Sequence, residues 1–420
     1  MKRLISALLA SAMLLSLTAC TSKKTDTEAT AAPAEEQAAF TPALDTDTAA
    51  TLYFEGNWGN FEALDQVALD FQKYYPNVEV VYEQLSDYRA DLANKFATGE
   101  GIDLFMAGWW DTAYTPNQDI IDNAEDLSGA GLDLSSLNAD MLAAGQADGA
   151  QTMVPIYLET FGYMINVDLF KAAGAEVPTT YEEMLAACEK LKAAGYEQPI
   201  FANAKYFGKT YVGYFMDQRA NGSDAQQALT DTLAKADEFA ATGYVSFDAD
   251  TLEDSYNAVI LRFFEGDIPI VPFPAGQFSG TKKREAKSEA FTAKPFEYAF
   301  IPAACGDTNS AYICQCGSIF VGVYKDSKQL DLANEFLRFL LTDDEMLVMQ
   351  QIKNMPTANV NNGMANFPYL KAAELKYAAA EGVTSVDDEY AIETLNLYSA
   401  AGDHTAETEK LTDMMTNGIG

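Results

Sequence analysis

The segment 51–107 constrains the fold most, because its pattern switches period four times in fewer than sixty residues. Thr51 to Glu55 reads as a short strand. Phe61, Leu64, Val67, Ala68, Phe71 and Tyr74 then recur at helical spacing behind Asn60, a residue suited to an N-cap. Pro76-Asn77 stops that helix, and Val78, Val80 and Tyr82 alternate as a strand. Asp87 can cap a second helix carrying Leu92, Ala93 and Phe96 on one face; Gly99 and Gly101 end it. Asp103 to Ala107 is a buried strand. Strand, helix, strand, helix, strand predicts an α/β fold with a parallel sheet covered by helices. Ligands of such sheets bind beyond the carboxyl ends of the strands. Here those ends are Gly56-Asn57-Trp58, Leu85-Ser86-Asp87 and Gly108-Trp109-Trp110-Asp111, so all three tryptophans of the chain stand where a ligand would sit.

The chain is long enough for more than this sheet. At 420 residues and 48% hydrophobic composition it can fill two cores. Val154 to Tyr157 reads as a strand entering Leu158-Glu159-Thr160-Phe161-Gly162, and Tyr163 to Asn166 continues it. Thr180 to Glu183 has the spacing of a capping box, starting a helix that turns Met184, Leu185, Cys188 and Leu191 inward. Ile268 to Val271 is a short apolar strand leading to Gln277. Ile319 to Val323 is another strand, Leu330 to Leu341 an apolar helix, and Thr342 to Glu345 a cap for the next.

The first fifty residues have a different character. Lys2 and Arg3 precede an apolar run that ends at Leu17-Thr18-Ala19-Cys20, as in a secretory signal peptide over residues 1–19. Residues 20–50 are rich in Thr, Ser, Ala, Glu and Pro and cannot offset their ordering entropy, so they are expected to form a flexible tether. The net charge of −35 argues against nucleic acid as a partner. His404 is the only histidine and no Gly-x-Ser-x-Gly element is present, which disfavours histidine-based metal sites and serine triads. Cys305, Cys314 and Cys316 read first as inert thiols and second as holding a disulfide that export permits; Cys188 is expected to be buried. The basic cluster Lys282, Lys283, Arg284, Lys287 and Lys294 reads first as a solvated face, and second as a transporter contact.

Several stretches in this order carry a family resemblance. They are Phe71-Gln72-Lys73-Tyr74-Tyr75-Pro76-Asn77-Val78-Glu79-Val80, Gly99-Glu100-Gly101-Ile102-Asp103-Leu104-Phe105, Tyr163-Met164-Ile165-Asn166-Val167-Asp168-Leu169-Phe170, Ala333-Asn334-Glu335-Phe336-Leu337-Arg338-Phe339-Leu340 and Asn354-Met355-Pro356-Thr357. Together they resemble the extracellular solute-binding proteins of ABC importers, in the sugar-binding group that includes maltose-binding protein. Leu17 to Cys20 resembles a bacterial lipobox, which implies cleavage before Cys20 and a lipid on its sulfur. The resemblance implies a two-lobed periplasmic-binding-protein-like fold with a hinge and an interlobe cleft. Lobe 1 is expected over 51–157 and 303–343, and lobe 2 over 158–302 and 344–420, with crossings near Tyr157 to Gly162, Pro302 and Asp343. It also implies a monomer without cofactor, metal or catalytic residues, held by its lipid outside the cell membrane and serving ABC permease subunits.

A sugar needs aromatic rings for its C–H faces and carboxylates or amides for its hydroxyl rim. The stacking candidates are Trp58, Trp109, Trp110 and Tyr157; the hydroxyl partners are Asn57, Asp87, Asp111, Glu159 and Gln277. Glu159 lies among apolar neighbours, where an unpaired carboxylate is costly, and at the expected hinge. It also falls where sugar-binding relatives place a ligand-contacting acid. For Asp87 a helix cap is the stronger expectation. Phe273-Pro274-Ala275-Gly276-Gln277 and Cys314-Gln315-Cys316-Gly317-Ser318 depart from the family's usual Gly- and Trp-containing elements, so the sugar itself is unassigned. The same fold binding a peptide or a polyamine, a surface glycoside hydrolase with two carboxylates, and a surface sensor remain the alternatives.

Overall fold

The computed structural model describes residues 40–59, 61–108, 111, 117–202, 204–247, 255–302, 310–311, 314–362, 378–379, 385–400 and 402–417. The signal peptide and most of the tether, Cys20 included, lie outside them, as do Asn60, Trp109, Trp110 and Cys305. The described residues from Thr41 onward belong to one compact unit.

The expected parallel ribbon is present. Ala50–Gly56 pairs in parallel with both Val78–Gln84 and Leu104–Gly108; Cys314–Val323 joins Leu104–Gly108 antiparallel, and Val154–Glu159, antiparallel to it in turn, closes the first sheet in the ribbon's own direction. The helix Glu62–Phe71 begins with Phe61 at its N-cap position and buries Leu64, Val67 and Phe71. Phe71 stacks on Tyr75 and meets the rings of Phe336 and Phe339 from Leu330–Leu340, so the periodic positions form one interhelical core.

The second sheet runs Tyr298–Pro302, Phe161–Asn166, Ile270–Pro274, Ile200–Ala202, Val245–Phe247. Its core takes in Met184, Cys188 and Leu191, the inward face of Tyr181–Ala193, together with Phe207, Phe215 and Phe239. Thr180 caps that helix by accepting from the Glu183 amide, as its sequence predicts. Gly162 is required here by close approach: an added Cβ would stand 2.1 Å from the Ile301 carbonyl oxygen.

The chain passes from the first sheet to the second at Thr160, between Val154–Glu159 and Phe161–Asn166. It is back in the first sheet by Cys314, which pairs with Glu159. It does not leave at Asp343. Asp343–Lys353 packs along Glu62–Phe71, and the amides of Leu158 and Ala358 exchange bonds with the carbonyls of Pro356 and Ile156, both at 2.8 Å. The late helices Val386–Thr394 and Thr405–Asn417 pack instead on Ala225–Ala240 of the second layer. Hydrophobic pattern located Glu62–Phe71, Tyr88–Thr98, Tyr181–Ala193, Leu330–Leu340 and Asp343–Lys353 but not the two late helices, and it carries no information on which layer a helix joins. No helix among the described residues is long and apolar enough to cross a membrane.

Candidate ligand site

Trp58 stands two residues beyond the end of Ala50–Gly56, and its loop is clamped by a tyrosine. The Tyr82 hydroxyl accepts from the Trp58 amide and donates to the Trp58 carbonyl, both at 3.0 Å. That clamp needs a glycine beneath it: a Cβ on Gly56 would stand 2.4 Å from the Tyr82 hydroxyl. The indole, partly exposed, packs 5.6 Å from the Tyr157 ring and edge-on at 5.0 Å to Phe61. The Lys353 ammonium lies 4.9 Å from its ring centre and 3.2 Å from Glu62. Asn57, beside it, carries a buried side-chain oxygen without a hydrogen-bond partner.

Tyr157 is fully buried. Its hydroxyl donates to the Met349 carbonyl at 3.2 Å, and its backbone bridges to Thr357. The ring is therefore a wall behind Trp58, with only Trp58 partly open to solvent.

Glu159 is the last residue before the crossing. Its Oε1 accepts from the Gly276 amide at 2.8 Å and the Thr160 amide at 3.2 Å, so a residue of the first sheet is tied to the turn after Ile270–Pro274 of the second. Gly276 admits this approach: a Cβ there would stand 2.6 Å from Oε2 and 3.2 Å from the Met355 methyl. Burial pushes the carboxyl up to about 7, against the two amide bonds and the nearby Lys209 ammonium. Lys209 itself is buried, lies 4.7 Å over the Phe161 ring and pairs with Glu393 at 3.2 Å. Gln277 follows Gly276 in the turn Ala275–Gly280, is partly exposed, and offers its carbonyl to Arg284 at 3.5 Å.

The remaining candidates divide. Asp87 occupies the N-cap position of Tyr88–Thr98, but its side chain makes no capping bond and stays exposed. The expected cap is thus a matter of position only; the Asp87 amide donates to Asp91 Oδ2 at 3.0 Å. Asp111 is buried, accepts from Asn117 at 2.7 Å and from the Gly108 amide at 3.3 Å, and lies 3.7 Å from Arg89. Burial raises its pKa, with these partners opposing. Its oxygens are thus engaged by Gly108 and Asn117. Trp109 and Trp110 lie outside the described residues. The structure brings together Trp58, Tyr157, Glu159 and Gln277, with Asn57 at the margin, and sets Asp87 and Asp111 in a second group around Tyr88 and Arg89.

Sequence reading did not select Lys353, Lys209, Met355 or Gly276 for this site. One signal was available: Lys353 and Met355 flank or belong to the Asn354-Met355-Pro356-Thr357 element that carried the resemblance. Among the described residues no group of His, Cys, Asp and Glu side chains could hold a metal ion.

The profile of the family described as bacterial extracellular solute-binding protein matches residues 55–347. The chain belongs to that family. No curated protein matches the sequence. Solved structures share the fold, two α/β lobes about a cleft. RafE from Streptococcus pneumoniae, in its apo form, is 16% identical with a TM-score of 0.66, covering 86% of this chain and 96% of its own. The sugar-binding protein MalE of Xanthomonas citri is 15% identical with a TM-score of 0.63, covering 88% and 100%. The GacH receptor of Streptomyces glaucescens, solved unliganded and with acarbose, is 17% identical with a TM-score of 0.59, covering 87% and 99%.

Proposed function

We propose that this family member is the lipid-anchored substrate-binding subunit of an ABC importer, and that it captures a carbohydrate by closure of its lobes. The carrying observation is the Trp58–Tyr157 wall standing beside the Glu159–Gly276 tie at the crossing. A ring that stacks on Trp58 brings its hydroxyls toward Gln277 and Glu159, and the second lobe supplies the far wall. Most of a small ligand's surface is buried only when walls arrive from both sides. Lobe 1 is taken as residues 51–159 and 314–362, and lobe 2 as 161–302 and 385–417. Neighbours whose structures hold raffinose or cycloalternan support a sugar over a peptide or polyamine. The Leu17-Thr18-Ala19-Cys20 ending supports attachment through Cys20 to the outer face of the membrane. The protein performs no bond chemistry in this reading; binding shifts an open–closed equilibrium that the permease reads.

The test is a titration with mono- and oligosaccharides followed by tryptophan fluorescence. A saturable change lost in Trp58→Ala is expected. No response to any sugar, with a response to polyamines or peptides, would replace the ligand class. Release of sugar products during incubation would replace the binding reading with the hydrolase.

A further inference from the structure

The indole of Trp58 has partners within the protein itself. It packs 5.6 Å from the Tyr157 ring and edge-on at 5.0 Å to Phe61, and the Lys353 ammonium lies 4.9 Å from its ring centre. The frame around Lys353 holds that last contact in place. Lys353 ends the helix Asp343–Lys353, where the helix dipole favours a cation. The backbone on either side of it is tied to Tyr157. One turn earlier the Met349 carbonyl accepts from the Tyr157 hydroxyl at 3.2 Å, and four residues later Thr357 bridges to the Tyr157 backbone. Asn354, between them, takes a left-handed conformation with φ 52° and ends the helix. Glu62 holds the ammonium from its far end at 3.2 Å, and the Lys353 side chain is only 13% exposed. The root of the side chain is therefore fixed, whereas its four-carbon stem can still rotate.

We propose that Lys353 is an autoinhibitory plug: its ammonium occupies the Trp58 ring in the unliganded protein and swings aside when a sugar ring stacks there. The inference rests on the sugar-binding reading and adds a step to it. An ammonium and the C–H face of a sugar seek the same electron-rich ring surface, so the two compete for it. The Glu62 side chain is 43% exposed, so an ammonium that leaves the ring keeps a carboxylate and gains water. Displacement therefore costs little more than the ring contact. The same contact re-forms as the ligand departs, which favours release. Removing the charge strengthens sugar binding in this arrangement, the opposite of what a lysine that contacts the ligand predicts.

The test is calorimetric titration of the full-length protein and its variants with glucose, galactose, maltotriose and raffinose. Lys353→Met keeps the stem and removes the charge. It should bind the best of these sugars about threefold or more tighter than the parent does, through loss of one competing cation–π contact. Lys353→Arg restores a cation that stacks on aromatic faces and should bind no tighter than the parent. Lys171→Met, at the exposed Lys171–Glu297 pair, should match the parent. Thermal melting of each variant checks that it folds. NMR reads the displacement itself. The Lys353 ε-methylene signal, assigned by its absence in Lys353→Met, should be shifted by the indole in the free protein and return toward the ordinary lysine position with sugar. Weaker or unchanged binding by Lys353→Met, equal tightening in Lys353→Arg, or a signal unmoved by sugar would overturn the plug and leave the sugar reading standing. Binding of none of these sugars, nor of any other in the fluorescence panel, by parent or variant would sink both.

Discussion

Glu159 gives the sharpest energetic expectation. Burial holds its carboxyl near 7 in the folded protein against an ordinary 4.5. A raised acid means that the folded state binds the proton more tightly than the unfolded chain. The acid therefore costs nothing below pH 4.5, its cost grows as pH rises, and the full cost is present once pH exceeds 7. A difference of 2.5 pKa units (7 − 4.5) corresponds to roughly 3 kcal/mol, at about 1.4 kcal/mol per unit. Glu55 and Glu345 are also pushed up to about 7 by burial, so the pH dependence of the parent protein alone would not isolate Glu159. The difference between the parent and Glu159→Gln does, because the other groups cancel. Glutamine keeps an acceptor oxygen for the Gly276 and Thr160 amides. Urea unfolding at pH 5, 6, 7 and 8 should show the parent losing stability relative to Glu159→Gln by on the order of 3 kcal/mol across that range. Parallel curves for the two proteins would refute the argument that burial governs this carboxyl.

Two further outcomes follow from single contacts. Gly276→Ala places a methyl 2.6 Å from Glu159 Oε2 and should destabilise the protein by about 1–3 kcal/mol, measured by the same unfolding assay; it should also weaken sugar binding, because the turn carries Gln277. His404 bridges Asp237 at 2.8 Å and Glu407 at 3.2 Å, and stacks on Tyr398, whose hydroxyl donates to Asp237. Burial opposes its charge, but the bonds to Asp237 and Glu407 outweigh that and hold its pKa above 6.5. The stability it contributes is complete below pH 6.5 and is lost as pH rises through the raised folded value. His404→Gln should therefore unfold more readily than the parent at pH 6, with the gap closing at higher pH.

The first parallel ribbon was legible from the residues because its signals are local, whereas the two-lobed layout came from the family resemblance. The parallel ribbon follows from alternation at Val78, Val80 and Tyr82 beside helical spacing at Leu64, Val67 and Phe71, and each signal spans only a few residues. The third crossing was misplaced because Asp343–Lys353 is an amphipathic helix that could cover either lobe; the Pro356–Leu158 and Ala358–Ile156 backbone bonds, which decide the matter, join segments about two hundred residues apart. Asp111 looked open from its position after two tryptophans, yet Asn117 and Gly108 occupy it. Lys353 and Gly276 were invisible for the opposite reason. A lysine at a helix end and a glycine in a turn are ordinary in sequence, and they acquire meaning only from the indole and the carboxylate brought against them.

The central claim is that a sugar closes two lobes about Trp58 and the Thr160 crossing. Small-angle scattering of the protein, with and without a saturating concentration of the sugar selected by titration, tests it most directly. A smaller radius of gyration with the sugar, absent in Trp58→Ala at the same concentration, is the predicted result. Saturable binding with an unchanged radius would contradict capture by closure.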